Sequence, residues 1–120
     1  MALMAPTVLI VDDHAAFRRA ARALLGSDGF EVVGEAAGGR EALAQATRLR
    51  PQIVVLDIQL PDIDGFEVAD RLAGQPDPPQ VILISSRDAG EYGGQVERAA
   101  SRGFVAKSLL SGRTIRALLG

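Results

Sequence analysis

Ile53-Val54-Val55-Leu56-Asp57 is a run of four apolar residues that stops at a carboxylate, and the turn sequence Leu60-Pro61-Asp62-Ile63-Asp64-Gly65 follows it. So short an apolar run, rich in β-branched residues, reads as a strand buried on both faces, the pattern of interior strands in parallel sheets. Asp57 then lies at the carboxyl end of a central strand, the edge of an open α/β sheet where ligands bind. Alone, it reads equally well as a loop or helix-capping residue.

Working outward, strand and helix patterns alternate five times. Thr7 to Val11 is a second wholly apolar strand. After it, Phe17, Ala20, Ala21, Leu24 and Leu25 recur at helical spacing with Arg18, Arg19 and Arg22 between them, and Gly26 to Gly29 end the helix. Phe30 to Glu35 is a strand whose acids suit a sheet edge. Gly38-Gly39 opens a helix that runs to about Leu49 before Pro51. A third helix spans about Asp64 to Ala73 with Phe66, Ala69, Leu72 and Ala73 inward. Val81 to Ile84 is the fourth strand, ended by Ser85-Ser86. Tyr92, Val96, Ala99 and Ala100 mark a fourth helix, weakened by Gly90, Gly93 and Gly94 at about 1 kcal/mol each relative to alanine. Gly103 to Ala106 is a short fifth strand ending at Lys107, and Ile115, Leu118 and Leu119 mark the last helix. The pattern predicts a parallel sheet covered on both faces, with the apolar strands central and those at Phe30 and Phe104 at the edges. That is the order 2-1-3-4-5 of the flavodoxin-like doubly wound α/β class.

Composition narrows the function classes. The 120 residues suit one domain, and 48% hydrophobic with 23% charged residues is neither disordered nor membrane-like. With no cysteine there are no disulfides, thiolate metal sites or cysteine nucleophiles, in keeping with a cytoplasmic setting. A net charge of −2 gives no basic footprint, so no direct nucleic-acid binding is expected. The start, Met1 to Pro6, lacks a basic region and a small-residue cleavage site and is not read as a signal peptide. No stretch approaches the roughly 20 apolar residues of a membrane span.

In the predicted sheet, Asp12, Asp13, Asp57, Ser85 and Lys107 all follow or end strands at one edge. Converging carboxylates repel one another, and a hard divalent cation with oxygen ligands, Mg²⁺ first, relieves the repulsion. A lysine and a hydroxyl suit an incoming anionic oxygen. Together they describe phosphoryl transfer to a carboxylate.

In that order and spacing, Asp12-Asp13, Val54 to Asp57 with Leu60-Pro61 and Asp64-Gly65, Ser85-Ser86, and Gly103-Phe104-Val105-Ala106-Lys107-Ser108 resemble the receiver domain of two-component response regulators, over essentially the whole chain. The resemblance implies that Asp57 accepts a phosphoryl group from a sensor histidine kinase. It implies Mg²⁺ on Asp12, Asp13, Asp57 and the backbone carbonyl of Gln59. Lys107 and Ser85 would bind phosphoryl oxygens, Phe104 would take the aromatic switch position, and Gln59 and Arg87 would stand at lifetime-tuning positions. Ser85 replaces the commoner threonine. Ser108 replaces the usual proline, and a cis bond after Lys107 would there cost about 3 kcal/mol. The chain resembles receivers that precede a helix-turn-helix DNA-binding domain, which would make it the N-terminal part of a longer protein.

Plainer readings stand beside these. Asp12 and Asp13 also suit a helix start, His14 reads as a surface residue, Asp62 and Asp64 as turn and capping residues, Ser86 as an exposed loop serine, and Phe104 as core. Besides a signalling module, the classes in view are a Mg²⁺-dependent aspartyl-phosphate hydrolase, a flavodoxin-like nucleotide binder and a phosphorylation-independent binding module. The hydrolase usually has a second acid where Gln59 stands. The nucleotide binder calls for a Gly-rich loop where Asp12-Asp13-His14 stands. The fourth helix, fifth strand and fifth helix are the expected output and homodimer surface, with Tyr92, Gln95, Phe104 and Ser111 to Arg116 exposed there.

Overall fold

The computed structural model describes residues 5–120, so the Met1–Met4 start of the stretch read against a signal peptide lies outside the described residues. Five parallel strands, β1 (Thr7–Val11), β2 (Glu31–Ala36), β3 (Ile53–Asp57), β4 (Gln80–Ser85) and β5 (Gly103–Ala106), form one sheet in the order β2-β1-β3-β4-β5. The interior strands are the three apolar runs, and the edges are those at Phe30 and Phe104, as expected. Five α-helices connect or follow the strands: α1 (Ala15–Ser27), α2 (Gly39–Leu49), α3 (Gly65–Ala73), α4 (Gln95–Arg98) and α5 (Gly112–Leu119).

Strand alternation sorts the core into two layers. Val8, Ile10, Ile53, Val55, Ile82, Ile84 and Val105 pack with Ala21 and Leu25 of α1 and Ile115 of α5. Leu9, Val11, Val54, Leu56, Val81 and Leu83 pack with Ala42 and Ala46 of α2 and Val68, Ala69 and Leu72 of α3, with Tyr92, Val96, Ala99 and Phe104 at the margin. No helix among the described residues is long and apolar enough to cross a membrane.

Three expectations are corrected. The fourth helix is not continuous from Tyr92 to Ala100: a 3₁₀ turn at Ala89–Tyr92 is separated from the single turn of α4, because Gly93 takes φ 61° and ψ −132°, a conformation closed to residues with a side chain. On α1 the buried face is Phe17, Ala21 and Leu25, whereas Ala20 is exposed and Leu24 is 40% exposed. On α3, Val68 is buried and Ala73 is exposed. All described peptide bonds are trans, including Lys107–Ser108.

Loop acids cap helices. Asp64 caps its own helix, accepting from Glu67 N at 2.9 Å. Asp62 acts at longer range. Gly38 offers α2 no capping side chain, and Asp62 instead accepts from Gly39 N at 2.7 Å, Arg40 N at 3.0 Å and Ile63 N at 2.8 Å. These donors, Arg40 N first, hold its carboxyl down at about 2 against an ordinary 3.8. A depressed carboxyl stabilises the fold above its unfolded pKa and ceases to do so as pH falls through the folded one. Asp62→Asn is therefore expected to remove the part of the stability that wild type loses between pH 3.8 and about 2, and to speed amide exchange at Gly39 and Arg40, as read by NMR.

Candidate phosphoryl-acceptor and metal site

Asp57 ends β3 in register with Ile84 of β4, and Ile58 N donates to Ile84 O at 3.0 Å, so the strand end is anchored in the sheet. Asp57 shares strand parity with Ile53 and Val55, Asp12 with Val8 and Ile10, and Lys107 with Val105. All three residues thus belong to the α1/α5 side of the edge, and they meet there.

Lys107 Nζ donates to Asp57 Oδ2 at 3.1 Å and stands 2.5 Å from Asp12 Oδ2. The second contact is a close ion pair, so one ammonium is shared by two buried carboxylates. Asp12 Oδ1 accepts from His14 N at 2.8 Å, and Asp57 Oδ1 from Gln59 N at 3.1 Å. The Lys107 ammonium lies 4.9 Å from the Phe17 ring centroid, a cation–π contact. Arg18 Nη1 donates to the Asp12 carbonyl at 2.6 Å while its Nε holds Glu35 at 3.0 Å, tying the β1 end to β2.

Burial is the largest influence on all three charges, and their partners decide the outcome. Asp57 is raised above the ordinary carboxylate range by burial and by the charge of Asp12, against the opposing pull of Gln59 N–H and Lys107. Asp12 is also pushed up by burial, but Lys107 and His14 outweigh this and leave it below the ordinary range. Lys107 is raised because the two carboxylates outweigh its own burial, so it stays an ammonium.

Asp12, Asp13, His14 and Asp57 can each offer one ligand atom, all within 4.8 Å of one another. The donor set supplies the test of fit: three converging carboxylates, two of them buried, share one lysine, and the negative charge left over is what a hard divalent cation would relieve. His14 was read from sequence as a plain surface residue. Its side chain is 69% exposed, yet Nδ1 lies 3.0 Å from Oδ1 of both Asp12 and Asp13. The signal for this was the unbroken Asp12-Asp13-His14 run. Gln59 and Arg87 are exposed at the rim.

Ser85 and Phe104 do not join this cluster. Ser85 shares parity with Leu83 on the α3 side, is fully buried, and lies 2.6 Å from the Tyr92 hydroxyl. Phe104 pairs in register with Leu83 and packs at the margin of the same layer. The link from Ser85 to Tyr92 was not read from sequence.

The chain matches the response regulator receiver domain family over residues 8–119. It is 33% identical to the chemotaxis protein CheY of Thermotoga maritima over 117 residues, covering 96% of both chains. It is 42% identical over 100 residues to a Pseudomonas aeruginosa protein named as a transcriptional regulator, covering 83% of this chain and 48% of that one. The receiver domain of NarL from Mycobacterium tuberculosis superposes with a TM-score of 0.86 at 30% identity, covering 98% of this chain and 95% of that domain. The chain belongs to the response regulator receiver family. It spans about half the length of the transcription regulators that it matches.

The Asp64-Gly65 pair of the family pattern has a steric reason in this chain. Gly65 N donates to Ile58 O at 2.8 Å, and a Cβ at Gly65 would collide with the Asp57 carbonyl oxygen and sit 2.7 Å from Ile58 Cα. Gly65→Ala is expected to cost about 1–3 kcal/mol in urea unfolding, the range for overpacking, and to shift the NMR signals of Asp57 and Lys107. Gly74→Ala, whose Cβ meets nothing closer than 3.6 Å, should leave stability level or higher.

Proposed function

We propose that Asp57 is the phosphoacceptor of this receiver and that Asp12, Asp13, Asp57 and the Gln59 carbonyl hold Mg²⁺ beside it. The observation that carries this reading is one lysine shared between two buried carboxylates, with a third carboxylate, Asp13, within ligand distance of both. The metal would supply charge neutralisation for the incoming phosphoryl oxygens.

Of the carboxylates, Asp57 is at a strand end and touches Lys107 through one oxygen, leaving Oδ1 held only by Gln59 N–H. An Asp57 oxygen attacks the phosphorus of a phosphohistidine in line. The P–N bond breaks, its electron pair returns to the imidazole, and an acyl phosphate forms on Asp57. Lys107 follows the negative charge from the carboxylates to a phosphoryl oxygen without changing protonation. Ser85 donates its hydroxyl proton to a second oxygen, so it interacts differently with the two states, as a population shift requires. Phe104, opposite Leu83 at the margin of the α3-side layer, fills the space that Ser85 leaves. Gln59 and Arg87 meet water at the rim and tune hydrolysis.

The donor is a sensor histidine kinase, and the protein works in the cytoplasm as the receiver part of a longer transcription regulator. The longer relatives named as transcription regulators support the last part of this reading. A CheY of Borrelia burgdorferi, structurally similar with a TM-score of 0.81 at 25% identity, occurs in a complex with CheX, BeF₃ and Mg²⁺. Homodimerisation would use α4, β5 and α5, where Gln95, Arg113 and Arg116 are exposed; of the other residues expected there, Tyr92 and Phe104 are half-buried and Gly112 and Ile115 are buried in the core.

Asp57→Asn is expected to fold as wild type and take no label from acetyl phosphate with Mg²⁺, as read by intact mass. Label on wild type that persists in Asp57→Asn would refute the assignment. Asp13→Ala should weaken Mg²⁺ by about tenfold or more, a loss at least on the scale of outer-shell changes. Lys107→Ala should still bind Mg²⁺, since it removes a competing cation and no ligand. Calorimetric titration separates the two.

A further inference from the structure

Ser85 sits at the end of β4 with no exposed surface, and its hydroxyl is already in use. Oγ accepts from Arg87 N at 3.0 Å and lies 2.6 Å from Tyr92 Oη. A serine hydroxyl has one proton and two lone pairs. Arg87 fills one lone pair, and Tyr92 either takes the proton or fills the other. A phosphoryl oxygen on Asp57 only accepts, so it needs the proton. It also lies with Asp57 on the α1/α5 side, whereas Tyr92 holds the hydroxyl on the α3 side.

The segment that carries Tyr92 is closed at one end and loose at the other. Asp88 and Glu91 form a reciprocal capping box at the start of the 3₁₀ turn, with Glu91 accepting from Asp88 N at 3.0 Å. Directly after Tyr92, Gly93 adopts φ 61°. The Tyr92 ring packs edge-on to Phe66 of α3, with centroids 5.7 Å apart at 74°.

We propose that Tyr92 is a positioning residue that acts through Ser85. It accepts the Ser85 hydroxyl proton and so retains it on the α3 side in competition with the phosphoryl oxygen; occupancy of Asp57 then breaks the Ser85–Tyr92 bond and frees the Tyr92 ring. This rests on the reading of Asp57 as phosphoacceptor.

The chain has one tyrosine and no tryptophan, so intrinsic emission reports Tyr92 alone. Beryllofluoride with Mg²⁺ serves as the probe. In wild type, the Tyr92 emission is expected to change in step with probe binding. Tyr92→Phe keeps the ring against Phe66 and deletes only the competing hydroxyl. It should bind beryllofluoride about fivefold more tightly, the scale of one net hydrogen bond, and lose acetyl-phosphate label more slowly, with Mg²⁺ affinity unchanged. In a Ser85→Ala background, Tyr92→Phe should have no effect on probe affinity, because the path through Ser85 is gone.

Unchanged or weaker probe binding by Tyr92→Phe, with wild type binding normally, overturns the competition alone. An equal gain in the Ser85→Ala background overturns the path through Ser85. If wild type binds no beryllofluoride and takes no label at Asp57, the phosphoacceptor reading falls, and the role of Tyr92 with it.

Discussion

Two carboxylates, Asp12 and Asp57, lie buried at the carboxyl edge of the sheet with one ammonium between them. Neither could stay ionised there alone, since removing an isolated charge from water costs far more than a side-chain contact returns. Lys107 makes the pair tolerable but does not neutralise it. With Asp13 beside them, the three acids and one lysine leave two negative charges in excess at the edge. That excess is what a divalent cation would offset.

The rest of the structure is arranged to hold those groups in register. The strands bring together residues far apart in the chain, since Asp57 lies beside Ile84 and Ser85 beside Ala106. Gly65 lets the β3–α3 connection turn back against the Asp57 backbone. Asp62, from the same loop, secures the start of α2. Arg18 ties the carbonyl of Asp12 to Glu35 of β2, where Arg22 Nε adds a second hold at 2.7 Å. Arg22, more than Arg18, keeps Glu35 below the ordinary carboxylate range.

What could be read from sequence was whatever depends on short-range pattern. Apolar runs identified the interior strands, and because parallel strands share a direction, the residues at their ends had to converge. Asp12, Asp57 and Lys107 follow from that alone. The misses depend on tertiary contact. Asp62 caps a helix whose N-terminus lies over 20 residues earlier in sequence. Leu24 continues the apolar pattern of α1 but falls just beyond the stripe that faces the sheet. Tyr92 to Ala100 kept helical spacing, yet the backbone freedom of Gly93 broke the segment. Phe17 was read as core, and only the packed structure places its ring against the Lys107 ammonium.

Strand parity also gives the site two unlike sides. Asp12, Asp57 and Lys107 belong to the α1/α5 side, where the ammonium meets two carboxylates and the Phe17 ring, and where Arg18 and Arg22 fasten the neighbouring edge. Displacing that side means separating buried charges, which is expensive. Ser85 and Phe104 belong to the α3 side, where the segment after β4 is one 3₁₀ turn and one α-turn around Gly93, with no fully buried residue in either turn. Displacing that side costs a hydrogen bond or two and some partly buried apolar surface. A charge added between the two sides would therefore move the weaker one. The asymmetry originates in the sequence: the strong side carries the ionised groups, and the weak side carries a serine, a tyrosine and three glycines.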